Sequence, residues 1–81
     1  MALSHNGWTE KDHRLVRTYR FADFADAFAF VARVAQLAEQ HRHHPSILLE
    51  YGLVRLELTT HDAGNRITEK DHALAEAILE L

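Results

Sequence analysis

The chain has 81 residues and a formal net charge of −3, from nine Lys and Arg against twelve Asp and Glu. Its length predicts a single domain, residues 1–81, with a thin core, because so short a chain buries only about 60–65% of its unfolded surface. The excess of acidic residues offers no general electrostatic attraction for nucleic acid or an anionic membrane. No apolar run approaches the ~20 residues that a membrane span needs. Cysteine is absent from the sequence, so disulfides and cysteine-rich zinc sites are excluded. A histidine-bound metal or a partner subunit remains as a means of stabilising this core.

The N-terminal half predicts strands followed by a helix. Residues 1–6 carry neither a cationic start nor a long apolar stretch, so no secretory signal is expected. We expect this segment to be disordered and the protein to be cytoplasmic. Gly7-Trp8 indicates a short first strand with its turn. The alternation of residues 13–21 then predicts a half-buried strand.

Asp23 is a good helix N-cap, and no Gly or Pro interrupts the following residues to Gln40. Pro45 disfavours helical geometry at His44, so this helix should end close to His43. Its apolar arc covers roughly half of the circumference, more than one side of a small sheet requires. We therefore expect a subunit contact here, and a homodimer or homotetramer. The arc consists of Phe24, Ala27, Phe28, Phe30, Val31, Val34, Ala35, Leu37 and Ala38.

The C-terminal half repeats the strand and helix pattern. Two strand-like runs within residues 46–60 flank Tyr51-Gly52, which predicts a hairpin, and residues 62–65 predict a turn or loop. Thr68 with Asp71 at the third helical position predicts a capping box at the start of the last helix. The order β-β-α-β-β-α in so short a chain favours an α+β fold. We predict a four-stranded antiparallel sheet with two helices packed on one face.

Histidine is unusually frequent, with seven in the chain, and four of them fall close together: His41, His43, His44 and His61. Because the unperturbed pKa of histidine lies near neutrality, such a cluster suggests proton transfer, metal binding or pH sensing. His43 and His44 lie where a helix should end, and His61 where a strand should end. Chain ends of this kind can converge on one pocket, where imidazoles could donate and accept protons.

Seven residues resemble the signature of the pterin-4a-carbinolamine dehydratases. They are Glu39, the run His43-His44-Pro45, Tyr51, His61 and Asp71. Five residues separate Pro45 from Tyr51, and nine separate each of the next two pairs. The similarity extends from Gly7 to Leu79. Two positions depart from the family pattern: Arg42 stands where members commonly carry Asp or Asn, and Ile47 replaces an aromatic residue of many animal members.

The resemblance implies a hydro-lyase that removes water from 4a-hydroxytetrahydrobiopterin to give quinonoid dihydrobiopterin, in the regeneration of tetrahydrobiopterin. It implies no metal or organic cofactor, because the pterin is the substrate. The elimination needs one group to protonate the leaving hydroxyl and another to accept a proton from a ring nitrogen, and two histidines can serve. By resemblance, His43 acts on the hydroxyl, His61 is its partner on the other side, and His44 chiefly binds the pterin. The remaining site residues are Arg42, Pro45, Thr59, Thr60 and Asp62 as substrate contacts, with Glu39 and Asp71 in support.

Other interpretations remain open. An acidic residue in the first turn of a helix, such as Asp71, also has a purely structural explanation in the helix dipole. His41, His43, His44 and His61 could supply nitrogen ligands to a metal, although no standard zinc spacing is present. A non-catalytic dimerisation or binding module is a third class, because animal relatives also act as dimerisation partners of a transcription factor. Nothing in the sequence selects such a partner.

Overall fold

A computed structural model describes residues 4–5 and 7–81. One antiparallel sheet has the spatial order β1-β2-β3-β5-β4, and two helices accompany it. The elements are β1 (Ser4–His5), β2 (Trp8–Lys11), β3 (Arg14–Arg20), α1 (Phe24–His41), β4 (Ser46–Glu50), β5 (Leu53–Leu58) and α2 (Glu69–Leu79). Strands β2 to β5 with the two helices confirm the predicted α+β fold and its β-β-α-β-β-α order.

Strand β1 is additional to the predicted sheet. Ser4 and His5 pair with Thr9 and Trp8 of β2. Without such a partner, the outer edge of β2 would leave backbone N–H and C=O groups unpaired. The expectation of disorder over residues 1–6 stays a prediction, and of this segment the structure describes the backbone pairing of Ser4 and His5. Residues 1–3 and 6 lie outside the described residues.

The core lies between one face of the sheet and the helices. Along β5, Val54, Leu56 and Leu58 are buried and alternate with partly exposed residues. Leu58 pairs with the buried Leu15 of β3. This period-2 pattern directs every second side chain of the central strands toward the helices. The α2 side of the core is formed by Leu74, Ala75 and Ile78.

Helix α1 begins as predicted, because the Asp23 carboxylate accepts a hydrogen bond from the Asp26 amide at 2.8 Å. It ends at His41, just before the predicted limit, because Arg42 adopts a left-handed conformation with φ 53°. The His43 amide then donates back to the carbonyl of Ala38 at 3.0 Å. These are the features of a Schellman motif, and they fix the backbone position of His43.

The wide apolar arc of α1 is only partly used within one chain. Ala27, Val34 and Ala38 are buried, whereas Phe24 and Phe28 are 55% and 56% exposed. Neither helix in the described residues combines the length and apolar character needed to cross a membrane.

The β4–β5 hairpin turns at Tyr51 and Gly52, as predicted. A Cβ atom on Gly52 would lie 2.5 Å from the carbonyl oxygen of Phe21, so no larger residue fits this backbone. The Phe21 amide donates to the Gly52 carbonyl at 2.7 Å. This contact ties the hairpin to the segment that enters α1.

Strand β5 ends at Leu58 and does not continue to His61. Residues His61–Ala63 instead form a 3-10 turn. The Thr60 amide donates to the Arg66 carbonyl at 3.0 Å and closes the loop that carries His61. Helix α2 then begins with the predicted capping box of Thr68 and Asp71.

Candidate active site

A cleft of about 180 Å³ lies where the end of α1, the loop after β5 and the start of α2 meet. It is lined by Arg42, His43, His44, Thr60, His61, Asp62 and Lys70. The three predicted histidines of the dehydratase signature therefore converge, as expected for chain ends that point to one side of a sheet.

His43 is the buried histidine of the cleft, and its partner is Asp71. The Nε2 atom of His43 lies 2.5 Å from Oδ1 of Asp71, across 28 positions in the sequence. The Asp71 side chain is fully buried, and that of His43 is 10% exposed. Because a carboxylate can only accept hydrogen bonds, Nε2 of His43 carries the proton. In the neutral ring the free lone pair is then on Nδ1.

Two further donors satisfy the other carboxylate oxygen of Asp71. The hydroxyl of Thr60 donates to Oδ2 at 2.7 Å, and the backbone amide of Thr68 donates to it at 2.9 Å. Thr60 Oγ1 also lies 2.7 Å from Thr68 Oγ1. Asp71, predicted as a capping residue, thus also holds His43. The same carboxylate therefore serves both as a cap of α2 and as a support for the His43 ring.

The other two histidines have exposed partners. Nε2 of His44 lies 2.5 Å from Oε2 of Glu39, and both side chains are largely exposed. Nδ1 of His61 lies 2.8 Å from the side-chain oxygen of Asn65. An amide oxygen accepts only, so Nδ1 of His61 donates and Nε2 keeps the free lone pair of the neutral ring. Each ring therefore has one nitrogen bonded to protein, and the other remains for proton transfer.

The predicted substrate contacts divide into two groups. Arg42, Thr60 and Asp62 line the cleft. Pro45 and Thr59 are not among its lining residues, and the Thr59 hydroxyl donates instead to the carbonyl of His13 at 3.2 Å. Thr59 thus joins the end of β5 to the β2–β3 turn.

Sequence reasoning missed Lys70, Asn65 and Thr68. Lys70 brings a second cationic side chain to the cleft beside Arg42. The signal in the sequence was its position beside Asp71 in the first turn of α2, because residues that closely follow an N-cap lie at the same end of the helix. Asn65 falls in the predicted loop four residues after His61, which is within reach of a tight turn. Over residues 4–5 and 7–81, no three His, Asp or Glu side chains are grouped to hold a metal ion.

The fold and the cleft define a small α+β protein with a histidine-lined site suited to acid–base chemistry. The chain matches, over residues 1–81, the family model described as pterin 4 alpha carbinolamine dehydratase. It belongs to this family.

Curated relatives agree with this assignment. A protein of Thermomicrobium roseum is 56% identical over 75 residues, which are 93% of this chain and 80% of that protein. A protein of Chloroflexus aurantiacus is 55% identical over 74 residues, 91% of this chain and 78% of the relative. Both carry the provisional name pterin-4-alpha-carbinolamine dehydratase.

Solved structures show the same fold. A transcriptional coactivator/pterin dehydratase from Brucella melitensis superposes with a TM-score of 0.81 at 36% identity, covering 89% of this chain and 78% of that chain. A pterin dehydratase-like protein identified as a RuBisCO assembly factor of the alpha-carboxysome superposes with a TM-score of 0.76. It is 23% identical and covers 96% of this chain and 94% of its own, so its likeness concerns the fold alone.

Proposed function

We propose that this protein is a hydro-lyase that removes water from 4a-hydroxytetrahydrobiopterin and releases quinonoid dihydrobiopterin, as a step in tetrahydrobiopterin regeneration. The observation that carries the proposal is that His43, His44 and His61 line one cleft, each with a single ring nitrogen bonded to another side chain. Membership of the dehydratase family supports the reaction class.

His43 is the proposed acid. In its imidazolium form, Nε2–H remains bonded to Asp71 and Nδ1–H is the proton to be delivered. The C4a–O bond breaks with its electron pair moving to oxygen, which takes this proton and leaves as water. The buried Asp71 carboxylate stabilises the imidazolium before transfer and holds the ring in one orientation afterwards.

His61 is the proposed base. Its Nδ1–H is bonded to Asn65, so Nε2 accepts the proton from a ring nitrogen of the pterin. The electron pair of that N–H bond forms the new C=N bond of the quinonoid product. His61 gains one proton and His43 loses one in each turnover, and exchange with water restores both. The reaction as written is neither a reduction nor an oxidation and needs no cofactor beyond the pterin substrate.

The remaining cleft residues are proposed to bind the pterin. His44, fixed by Glu39, lies beside His43 in the chain and offers Nδ1 as a polar contact. Arg42, Asp62 and Lys70 add charged groups at the same opening. Pro45 is proposed to stiffen the corner after His44.

We further propose that the protein is cytoplasmic and acts as a homodimer or homotetramer. The exposed Phe24 and Phe28 rings, 6.3 Å apart between centroids, support the assembly. Burial of two such rings against a second copy would add apolar area that so small a chain lacks on its own.

The test follows the formation of quinonoid dihydropterin from synthetic 4a-hydroxytetrahydropterin with wild type, His43→Ala and His61→Ala. Both variants are expected to lose most of the acceleration over spontaneous dehydration. His41→Ala is the matched control, because His41 is exposed, lies two positions from His43 and does not line the cleft. Equal rates for wild type and both cleft variants would contradict the proposal.

A further inference from the structure

We infer that Thr60 and Thr68 are positioning residues, joined in a one-directional hydrogen-bond chain that fixes the Asp71 carboxylate and thereby the tautomer of His43. The observation is a continuous series of four side chains, Thr68, Thr60, Asp71 and His43, in which each contacts the next. The inference rests on the proposed role of His43 for its catalytic consequence, but not for its spectroscopic test.

The direction of each bond follows from which atoms can donate. The Asp71 carboxylate can only accept, so the Thr60 hydroxyl donates to Oδ2 at 2.7 Å. A hydroxyl has one proton, and that of Thr60 is thereby used. In the 2.7 Å contact between the two threonine oxygens, Thr68 must therefore be the donor.

The upstream end of the chain is fixed by the backbone of α2. The amide of Lys70 donates to Thr68 Oγ1 at 3.3 Å, which leaves the hydroxyl proton of Thr68 free to point toward Thr60. The downstream end is Oδ1 of Asp71, which accepts from Nε2–H of His43. Every hydroxyl proton in the series thus has one acceptor, and turning the Thr60 hydroxyl toward Thr68 would leave two acceptor oxygens, Thr60 Oγ1 and Asp71 Oδ2, facing each other.

One consequence concerns the predicted role of Thr60 in substrate binding. Thr60 lines the cleft, but its hydroxyl proton is committed to the buried Asp71. It therefore has no O–H left to donate to a bound pterin. We assign Thr60 to holding Asp71, so its loss should lower kcat and leave KM nearly unchanged.

The test compares Thr60→Val, which has nearly the same shape without the hydroxyl, with Thr60→Ser, which retains it. Thr59→Val is the matched control, because the neighbouring hydroxyl bonds to the His13 carbonyl and does not contact Asp71. The first readout is the pair of ring ¹⁵N shifts of His43 in the substrate-free protein, recorded with the ring neutral. In wild type, Thr60→Ser and Thr59→Val, we expect a protonated Nε2 and an unprotonated Nδ1.

In Thr60→Val, Oδ2 of Asp71 keeps only the Thr68 amide as a donor, so the carboxylate can turn away from Nε2 of His43. The two ¹⁵N shifts should then move toward each other as the tautomers mix. The dehydration assay should show kcat lower by about tenfold, the value of one hydrogen bond to a charged group, with KM within about twofold. Wild-type ring shifts in Thr60→Val would overturn the inference even if the proposed reaction were absent. A raised KM with unchanged kcat would instead make Thr60 a substrate contact and would also overturn it.

Thr68→Val provides a second test that does not alter the cleft lining. It removes the hydroxyl that donates to Thr60 and should mix the His43 tautomers in the same direction. If Thr60→Val fails to fold, this variant decides: wild-type ring shifts in folded Thr68→Val would refute the chain. Circular dichroism establishes folding in each case.

Discussion

The imidazole Nε2 of His43 and the carboxylate of Asp71 lie 2.5 Å apart in the interior, although 28 positions separate them in the chain. The end of α1 supplies the ring, and the first turn of α2 supplies the carboxylate. The capping box of one helix thus orients the proposed acid that follows the other. The proposed activity of His43 should therefore depend on how α1 packs against α2.

Asp71→Asn should lower both activity and stability. With its oxygen toward His43, the amide NH₂ of Asn would face the Thr68 amide, which can only donate. With the amide reversed, the NH₂ would face Nε2 of His43, which can accept only in the tautomer with its proton on Nδ1 and cannot accept in the imidazolium form. The first orientation leaves a buried donor unpaired and the second opposes the protonated acid, so we expect the free energy of unfolding to fall by about 1–3 kcal/mol and kcat by roughly 100-fold.

Urea unfolding and the dehydration assay measure these two effects of Asp71→Asn. Glu76→Gln, at an exposed position of the same helix, is the control for charge removal and should match wild type. If Asp71→Asn kept wild-type activity and stability, the carboxylate would have no role in holding His43.

Arg42→Gly should stabilise the protein. Arg42 ends α1 in the left-handed region with φ 53°, where a Cβ atom costs energy that glycine avoids. We expect the free energy of unfolding to rise by about 0.5–1 kcal/mol. Arg42→Ala removes the same charge but keeps Cβ, so it should show no such gain. Equal stabilisation by Gly and Ala would attribute the effect to charge.

Tyr19→Phe should also stabilise the protein. The Tyr19 hydroxyl is buried and has no hydrogen-bond partner among the described residues. Burial raises the pKa of Tyr19 above 10.0, and the nearby Arg17 opposes this rise. Removing an unpaired hydroxyl should raise the free energy of unfolding by about 1 kcal/mol at neutral pH.

The stabilisation by Tyr19→Phe should grow at alkaline pH. Above pH 10 the unfolded chain loses the Tyr19 proton more readily than the folded chain, so the free energy of unfolding of wild type falls as the pH rises. The variant has no proton to lose at this position and does not show this fall. Thermal unfolding between neutral pH and pH 11 measures the difference. Tyr51→Phe is the control, because Tyr51 is 86% exposed. A destabilised Tyr19→Phe protein would mean that the hydroxyl is paired.

Phe28→Ser should weaken the proposed self-association. Sedimentation at micromolar concentration is expected to show a dimer or tetramer for wild type and a shift toward the monomer for the variant, since about 1.5–3 kcal/mol is associated with burying one such ring. Gln36→Ser, at an exposed polar position of the same helix, should leave the assembly unchanged. A folded wild-type monomer would refute the assembly, and an unchanged oligomer in Phe28→Ser would place its interface elsewhere.

Local sequence signals predicted most of the fold. Asp23, Thr68 and the Tyr51-Gly52 turn act on neighbours within a few residues, so their caps and hairpin could be read directly from the chain. The pairing of Ser4–His5 with β2 could not, because nothing in two polar residues distinguishes an edge strand from a free segment.

The sequence indicated which histidines lie near one another but gave only part of the geometry of the candidate site. The spacing of the dehydratase signature indicated His43, His44 and His61, and these rings do share a cleft. That Asp71 lies behind His43, and that Thr59 bonds instead to His13, depends on contacts between segments distant in the chain. Periodicity assigns a side chain to a face of its own element and does not give its partner on another.

The most direct test of the proposed function is the rate of quinonoid dihydropterin formation from 4a-hydroxytetrahydropterin with wild-type protein, measured beside the spontaneous rate in the same buffer. Acid and base catalysis by His43 and His61 predicts an acceleration of about 100-fold or more at saturating substrate. A wild-type rate equal to that of buffer alone, from protein shown to be folded, would contradict the account.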